Sequence, residues 1–198
     1  MECKTGEVVY QRTLPLSIVP GLYEFAKVNG CGLITYQGEG VISAFEPDKY
    51  VQLEARINGI PIKVVDDFVS YVDFDINKCL MTAPEEIAPE LEKQLQEKYS
   101  DVASIYRSEP FFIEIMPKDV NKATSLDHML EGMGLTRENA ICCGDGYNDI
   151  SMIEYAGTGV AMGNAQPAVK KAADYIHGTN AEAGLVEVLH KFIMKTEQ

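Results

Sequence analysis

The sequence predicts an α/β protein in two parts: a doubly wound parallel sheet built from residues 1–14 and 118–198, and an α+β domain built from residues 15–117. Three observations carry this. Beyond Pro117, helical and strand patterns alternate at short spacing, as they do where crossover helices link parallel strands. Between residues 15 and 117, helices instead precede or follow pairs of strands joined by glycine turns, the grammar of hairpins with helices on one face of a sheet. Finally, residues 139–155 (NAICCGDGYNDISMIEY) read as a buried strand, an abrupt glycine turn and a new helix, the kind of junction at which open α/β sheets bind ligands.

Taken in order, a turn at residues 4–6 leads into a short strand at 7–11. Ser17 can cap a helix whose Ile18, Leu22, Phe25 and Ala26 share one face, with Pro20 in the first turn and Asn29-Gly30 closing it. Residues 32–45 form a hairpin of LITY and VISAF. The two glycines of its loop at 37–40 are explained by turn geometry rather than by a phosphate cradle. A helix over 47–57 ends at Asn58-Gly59. Thr82 and Glu85 stand at capping-box spacing, and Ile87, Leu91, Leu95 and Tyr99 recur at every fourth position, which predicts a helix. Strands follow at 102–105 and 111–116. The alternating region then reads helix 122–133, strand 140–143, helix 148–156, strand 158–162, helix 166–174, strand 175–176 and helix 181–193.

With 198 residues, 46% apolar and 24% charged, the chain is large enough for one or two packed cores. No apolar run approaches the ~20 residues of a membrane span, and the start lacks a basic and apolar leader, so a cytoplasmic protein with no membrane contact is expected. Five cysteines without a CxxC pair give neither a disulfide framework nor zinc spacing. The adjacent Cys142 and Cys143 read as small apolar residues of a buried strand. A formal net charge of −13 argues against nucleic acid or an anionic membrane as partner. An anionic substrate would need local positive charge. His128, His177 and His190 lack ligand spacing and read as surface or packing residues.

Two carboxylates stand at the strand-to-helix switch. Asp145 lies at the end of the strand and Asp149 four residues on, so both can point to one spot beyond the sheet edge, where the free N–H groups of the new helix would also face. Two carboxylates plus waters suit Mg2+, which keeps much of its hydration. Singly, each residue has a plainer role: Asp149 complements the helix dipole, Asn148 caps the helix and Asp145 occupies the turn. Together, Gly-Asp-Gly-x-Asn-Asp would arise by chance in roughly one chain of this size in 10^4, which favours a site. A second acidic pair, Asp73-Phe74-Asp75 after the apolar run FVSYV, imitates a strand-then-DxD nucleophile. It continues into Ile76-Asn77 rather than into the glycine that a tight turn over a phosphate requires, and reads as a loop.

GDGYND, with Lys122 upstream in VNKATSL and AMGNA downstream, resembles the carboxyl-terminal signature of the haloacid dehalogenase (HAD) superfamily, specifically its Cof-type (class IIB), cap-bearing sugar-phosphate phosphatases. The resemblance extends over nearly the whole chain. It implies that the parallel sheet is a partial HAD-like core and that residues 15–117 are a C2B-type cap. It also implies a Mg2+ cofactor, a small phosphorylated metabolite as substrate, and phosphoryl transfer through an aspartyl-phosphate, which divides one difficult displacement into two. In this likeness Asp145 is the direct Mg2+ ligand, Asp149 holds the metal or its waters, Asn148 orients a water or phosphate oxygen, and Lys122 screens the nucleophile's charge and contacts the phosphate. A lysine in a helix's first turn opposes the dipole, which by itself hints at another reason for it. Asn164 in AMGNA stays unassigned between a phosphate contact and an ordinary turn.

The family's DxDGT motif, which supplies the nucleophile, is absent from these 198 residues. Two or three βα units are expected to be missing, roughly 60 to 90 residues by the size of a βαβ unit. The strand carrying the nucleophile belongs beside strand 140–143, whose edge would otherwise be open to self-association. The expectation is therefore the carboxyl-terminal part of a phosphatase, inactive and poorly stable or self-associating alone. The alternative is a non-catalytic remnant that binds a phosphorylated ligand or a protein partner. An active enzyme with Asp73 as substitute nucleophile is the third reading.

Overall fold

A computed structural model describes residues 4–194 apart from Glu7 and Val9. The chain divides into two compact units between Val120 and Asn121.

The first unit is a six-stranded sheet of β1 (Gly32–Gln37), β2 (Gly40–Ser43), β3 (Ile62–Val64), β4 (Cys79–Thr82), β5 (Ala103–Glu109) and β6 (Phe112–Pro117), in the order β3-β2-β1-β4-β6-β5. Every neighbouring pair is antiparallel except β2 with β3. Helices α1 (Val19–Asn29) and α4 (Ala88–Tyr99) cover one face, where Leu22, Ala26, Leu91 and Leu95 join Leu33, Met81, Ile113 and Ile115 in the main core. Helix α2 (Lys49–Asn58) lies on the opposite face, its Val51 packed with Ile34, Val41, Leu80 and Phe112. This corrects the expectation of helices on a single face. Successive side chains of a strand point to opposite sides, and β1 and β4 are buried at every one of their central positions, so each face needs a cover.

Strand β4 also displaces the expected start of α4. Cys79, Leu80, Met81 and Thr82 are all buried between β1 and β6, a continuous apolar run without alternation. Thr82 therefore ends a strand instead of capping a helix, and α4 begins only at Ala88. The Thr82 hydroxyl donates to Asp48, whose other carboxylate oxygen accepts the N–H groups of Tyr50 and Val51, both at 2.8 Å. One side chain thus caps α2 and ties it to the central strand. The expected glycine stops hold, with Gly30 and Gly59 in the left-handed conformation after α1 and α2.

The apolar run before Asp73 is not a strand. Residues Phe68–Tyr71 form a single helical turn, α3, whose Ser70 N–H is accepted by Asp67, and Asp73 follows it on an exposed loop. Leu14, at the end of the segment expected to belong with the parallel sheet, is buried in the first unit's core, and its N–H donates to the Ile76 carbonyl at 2.8 Å. The strand expected at 7–11 falls partly outside the described residues, and Tyr10 and Gln11 form no ladder.

The second unit keeps the alternating grammar. α5 (Lys122–Gly132), β7 (Ile141–Gly144), α6 (Ile150–Tyr155), β8 (Thr158–Ala161), α7 (Pro167–Ala172), β9 (Tyr175–Ile176) and α8 (Gly184–Phe192) follow one another, and the strands form a parallel sheet in the order β7-β8-β9. Ile153, Ala161, Ala165 and Val169 make its small core. Cys31, Cys79, Cys142 and Cys143 are free thiols, three of them buried, and burial pushes Cys79 up to about 12. None of the described helices is long and apolar enough to cross a membrane.

Removing the Asp48 side chain takes the shared acceptor from two N–H groups of α2 and leaves the buried Thr82 hydroxyl without its partner. Asp48→Ala should destabilise the chain by about 2 kcal/mol, at the upper end of cap losses, whereas Thr82→Val should cost less than half of that. Equilibrium urea denaturation followed by far-ultraviolet circular dichroism measures both, and equal losses would mean that the cap bonds contribute nothing beyond the Thr82 contact.

Candidate active site

Strand β7 ends at Gly144, and the chain turns through Asp145 and Gly146 into a single 3-10 turn, Tyr147–Asp149, that runs on into α6. The turn is folded around the side chain of Asp149. Its Oδ2 accepts the N–H groups of Asp145 and Gly146, each at 3.0 Å, and its own N–H donates to the Gly146 carbonyl at 3.0 Å. A Cβ on residue 144 would stand 2.4 Å from the Asp149 Cβ, so only glycine lets the carboxylate tuck back under the strand end.

The other oxygen of Asp149 accepts from the Lys122 ammonium. Lys122 opens α5, which Asn121 caps: Asn121 Oδ1 accepts the Thr124 N–H at 2.9 Å, and Thr124 Oγ1 accepts the Asn121 N–H at 3.1 Å. The lysine placed against the helix dipole thus has its counter-charge on another element. Asp149 is buried, its side chain 8% exposed, whereas that of Lys122 is 48% exposed. Burial pushes the Asp149 carboxyl up, but the Lys122 ammonium and the two loop N–H groups outweigh it, and the group rests below the usual carboxylate range.

Asp145 is exposed. Its Oδ2 accepts from Asn164 Nδ2 at 2.8 Å, and its carbonyl accepts the Gln166 N–H at 3.1 Å. Lys122, Asp145, Asp149, Asn164 and Asn180 line one open depression of about 510 Å³ within this unit, with Met152, Met162 and Leu185 on its apolar side. Asn148 stands exposed on the turn, outside that lining, and its side chain makes no hydrogen bond among the described residues. The fold therefore gathers Lys122, Asp145 and Asp149, sets Asn148 apart, and adds Asn164 and Asn180. Asn164 could be found in the sequence only through the AMGNA motif; Asn180 carries no local signal.

Among the described residues no three histidine, cysteine or carboxylate side chains cluster to hold a metal ion. Asp145 suits Mg2+ as a single protein carboxylate with room for water. Asp149 suits direct ligation less well, because both of its oxygens already accept, one of them from an ammonium. Charge points the same way: one lysine against two carboxylates leaves the depression at a net −1, which repels phosphate, and a divalent cation turns it to +1.

Comparison with known proteins supplies the context. Residues 2–189 match the model of the haloacid dehalogenase-like hydrolases. A crystal structure of a haloacid dehalogenase-like hydrolase from Bacteroides thetaiotaomicron superposes with a TM-score of 0.88 at 42% identity, over 96% of this chain and 71% of that one. The HAD subclass IIB sugar phosphatase BT4131 gives a TM-score of 0.81 at 26% identity, over 94% and 70%. The 5-amino-6-(5-phospho-D-ribitylamino)uracil phosphatase YcsE of Bacillus subtilis is 46% identical over 90 residues, 46% of this chain. That match spans only 36% of the length of YcsE. Phosphatases of this superfamily generally use Mg2+. With residues 2–189 matching that family and a sugar phosphatase of subclass IIB sharing the fold, the chain belongs to the haloacid dehalogenase superfamily, in its Cof-type branch.

Proposed function

We propose that this chain carries the phosphate- and metal-handling part of a Mg2+-dependent phosphoric monoester hydrolase that acts on a small phosphorylated metabolite such as a sugar phosphate. The observation that supports it most is the convergence of Lys122, Asp145 and Asp149 on one depression whose charge suits phosphate only with a divalent cation present. Mg2+ bound at Asp145 would supply charge neutralisation on the transferring group, the main requirement of phosphoryl transfer. Lys122 offers an ammonium at the same mouth. Asp149 fixes where that ammonium stands and holds the turn that presents Asp145. Asn148, solvent-facing on that turn, is available to orient a water.

The nucleophile has to come from a segment other than these residues. Asp149 is buried and committed to Lys122, and Asp145 serves the metal in this reading. Asp73 follows a helical turn and lacks the strand end a nucleophile of this family uses. The 198 residues should therefore bind phosphate without hydrolysing esters. In the presence of Mg2+, isothermal titration with inorganic phosphate should show binding that Lys122→Ala weakens about tenfold, the loss expected for one charge-assisted contact. No turnover of p-nitrophenyl phosphate should rise above background. Mg2+-dependent turnover abolished by Asp73→Asn would overturn the assignment of the nucleophile.

The Asp149 pairing has a pH signature. Its folded-state pKa is depressed, so its contribution is complete above the unfolded carboxylate value, about 4, and is lost only as pH falls through the lower folded value. Asp149→Asn should cost about 2 kcal/mol at pH 7, the scale of hydrogen bonds to a charged group, and the gap to wild type should narrow below pH ~4. Urea midpoints at pH 7, 5 and 3.5 test this; a gap independent of pH would mean that the charge of Asp149 is immaterial.

Strand β7 lies at a sheet edge and carries neither charge nor proline to blunt it. The isolated chain should accordingly self-associate, and light scattering that finds a monomer at every concentration, with a sharp thermal transition, would count against an open edge.

A further inference from the structure

Asn164 is exposed on the loop between β8 and α7, yet both ends of its side-chain amide are committed. Oδ1 accepts the Asn180 N–H at 3.1 Å, and Nδ2 donates to Asp145 Oδ2 at 2.8 Å. A backbone N–H only donates and a carboxylate only accepts, so chemistry leaves one orientation of the amide. The surrounding loop is held by the backbone: Met162 N–H donates to the Gly144 carbonyl (3.0 Å), Gly163 N–H to that of Gly178 (3.2 Å) and Gln166 N–H to that of Asp145 (3.1 Å). Lys170 Nζ donates to the Gly163 carbonyl at 2.6 Å. A residue present only to make the turn would need none of its side-chain bonds, because the backbone already fixes the loop.

Asp145 is consequently gripped at three groups. Its N–H goes to Asp149, its carbonyl to Gln166, and one carboxylate oxygen to Asn164, leaving the second oxygen without a hydrogen bond among the described residues. We propose that Asn164 is the positioning residue of Asp145: it fixes the rotamer in which that second oxygen is presented to a divalent cation, and it does so because Asn180 holds the far end of its amide. This rests on the reading of Asp145 as the metal-facing carboxylate. It makes residues 178–180 part of the site's machinery, and α8 with them, since Glu187 accepts the Gly178 N–H at 3.2 Å.

The test uses the full chain, isotopically labelled, with Mn2+ as the probe. Three-bond couplings between the Asp145 backbone and its Cγ report the χ1 rotamer without any metal, and water-proton relaxation reports Mn2+ affinity. Wild type should give one rotamer. Asn164→Ala should average it and weaken Mn2+ binding about tenfold, while the urea midpoint shifts little. Asn164→Asp keeps an acceptor for the Asn180 N–H but loses the donor, and should average the Asp145 rotamer as well. Couplings already averaged in wild type, or unchanged in both variants, would overturn the inference, as would Mn2+ affinity that stays constant while the rotamer is released. If the couplings respond but neither wild type nor variant binds Mn2+, the positioning role stands and the metal reading falls.

Discussion

One buried carboxylate holds the second unit's site together. Asp149 accepts from two loop N–H groups and from an ammonium on a different helix, so the turn after β7, the start of α5 and the mouth of the depression share a single anchor. Such a group is costly to bury alone and favourable only when every acceptor site is used. That constraint explains the neighbours. Gly144 is glycine because the carboxylate occupies the space of its side chain, and Lys122 can stand at a helix start because its counter-charge is supplied from elsewhere. Each residue of the turn is intelligible only through this one interaction.

The charge of the whole chain then sets the terms of ligand binding. At −13 the protein repels anions at long range, and its own site is net negative. Under the proposed function, attraction for a phosphate ester is local, from a cation at Asp145 and from Lys122. The depression also has apolar lining from Met152, Met162, Ala183 and Leu185, which can touch the organic part of a ligand.

The elements of the second unit were legible because short apolar strands alternate with helical patterns and turn residues separate them. The first unit misled where one signal had two physical meanings. Thr82 and Glu85 have capping-box spacing, but the threonine sits on a strand, since a hydroxyl satisfied by Asp48 can be buried there as easily as at a helix start. Phe68–Tyr71 is apolar like a strand but is a single helical turn, because Asp67 caps it. Helix α2 could not be assigned to a face from its own sequence; that follows from β1 and β4 being apolar on both sides. In the site, Asp145 and Asp149 could be named because the combined Gly-Asp-Gly-x-Asn-Asp spacing is rare, and Lys122 through the family resemblance, with its place against the helix dipole as a weaker hint. Asn180 could not, since its contribution is a backbone N–H delivered by a loop sixteen residues beyond Asn164.

What the site lacks follows from the occupations of the groups it has. Transfer through an aspartyl-phosphate needs an unencumbered carboxylate facing the phosphorus, with the cation and lysine beside it. Asp149 is committed to Lys122 through one oxygen and to the turn through the other, and in the proposed function the oxygen of Asp145 that Asn164 leaves serves the cation. Among the described residues Asp145 and Asp149 are the carboxylates that line the depression, so the proposed reaction calls for a third. In the sheet of the described residues β7 pairs on one side only, with β8, so a strand added on its other side would cover its open backbone groups.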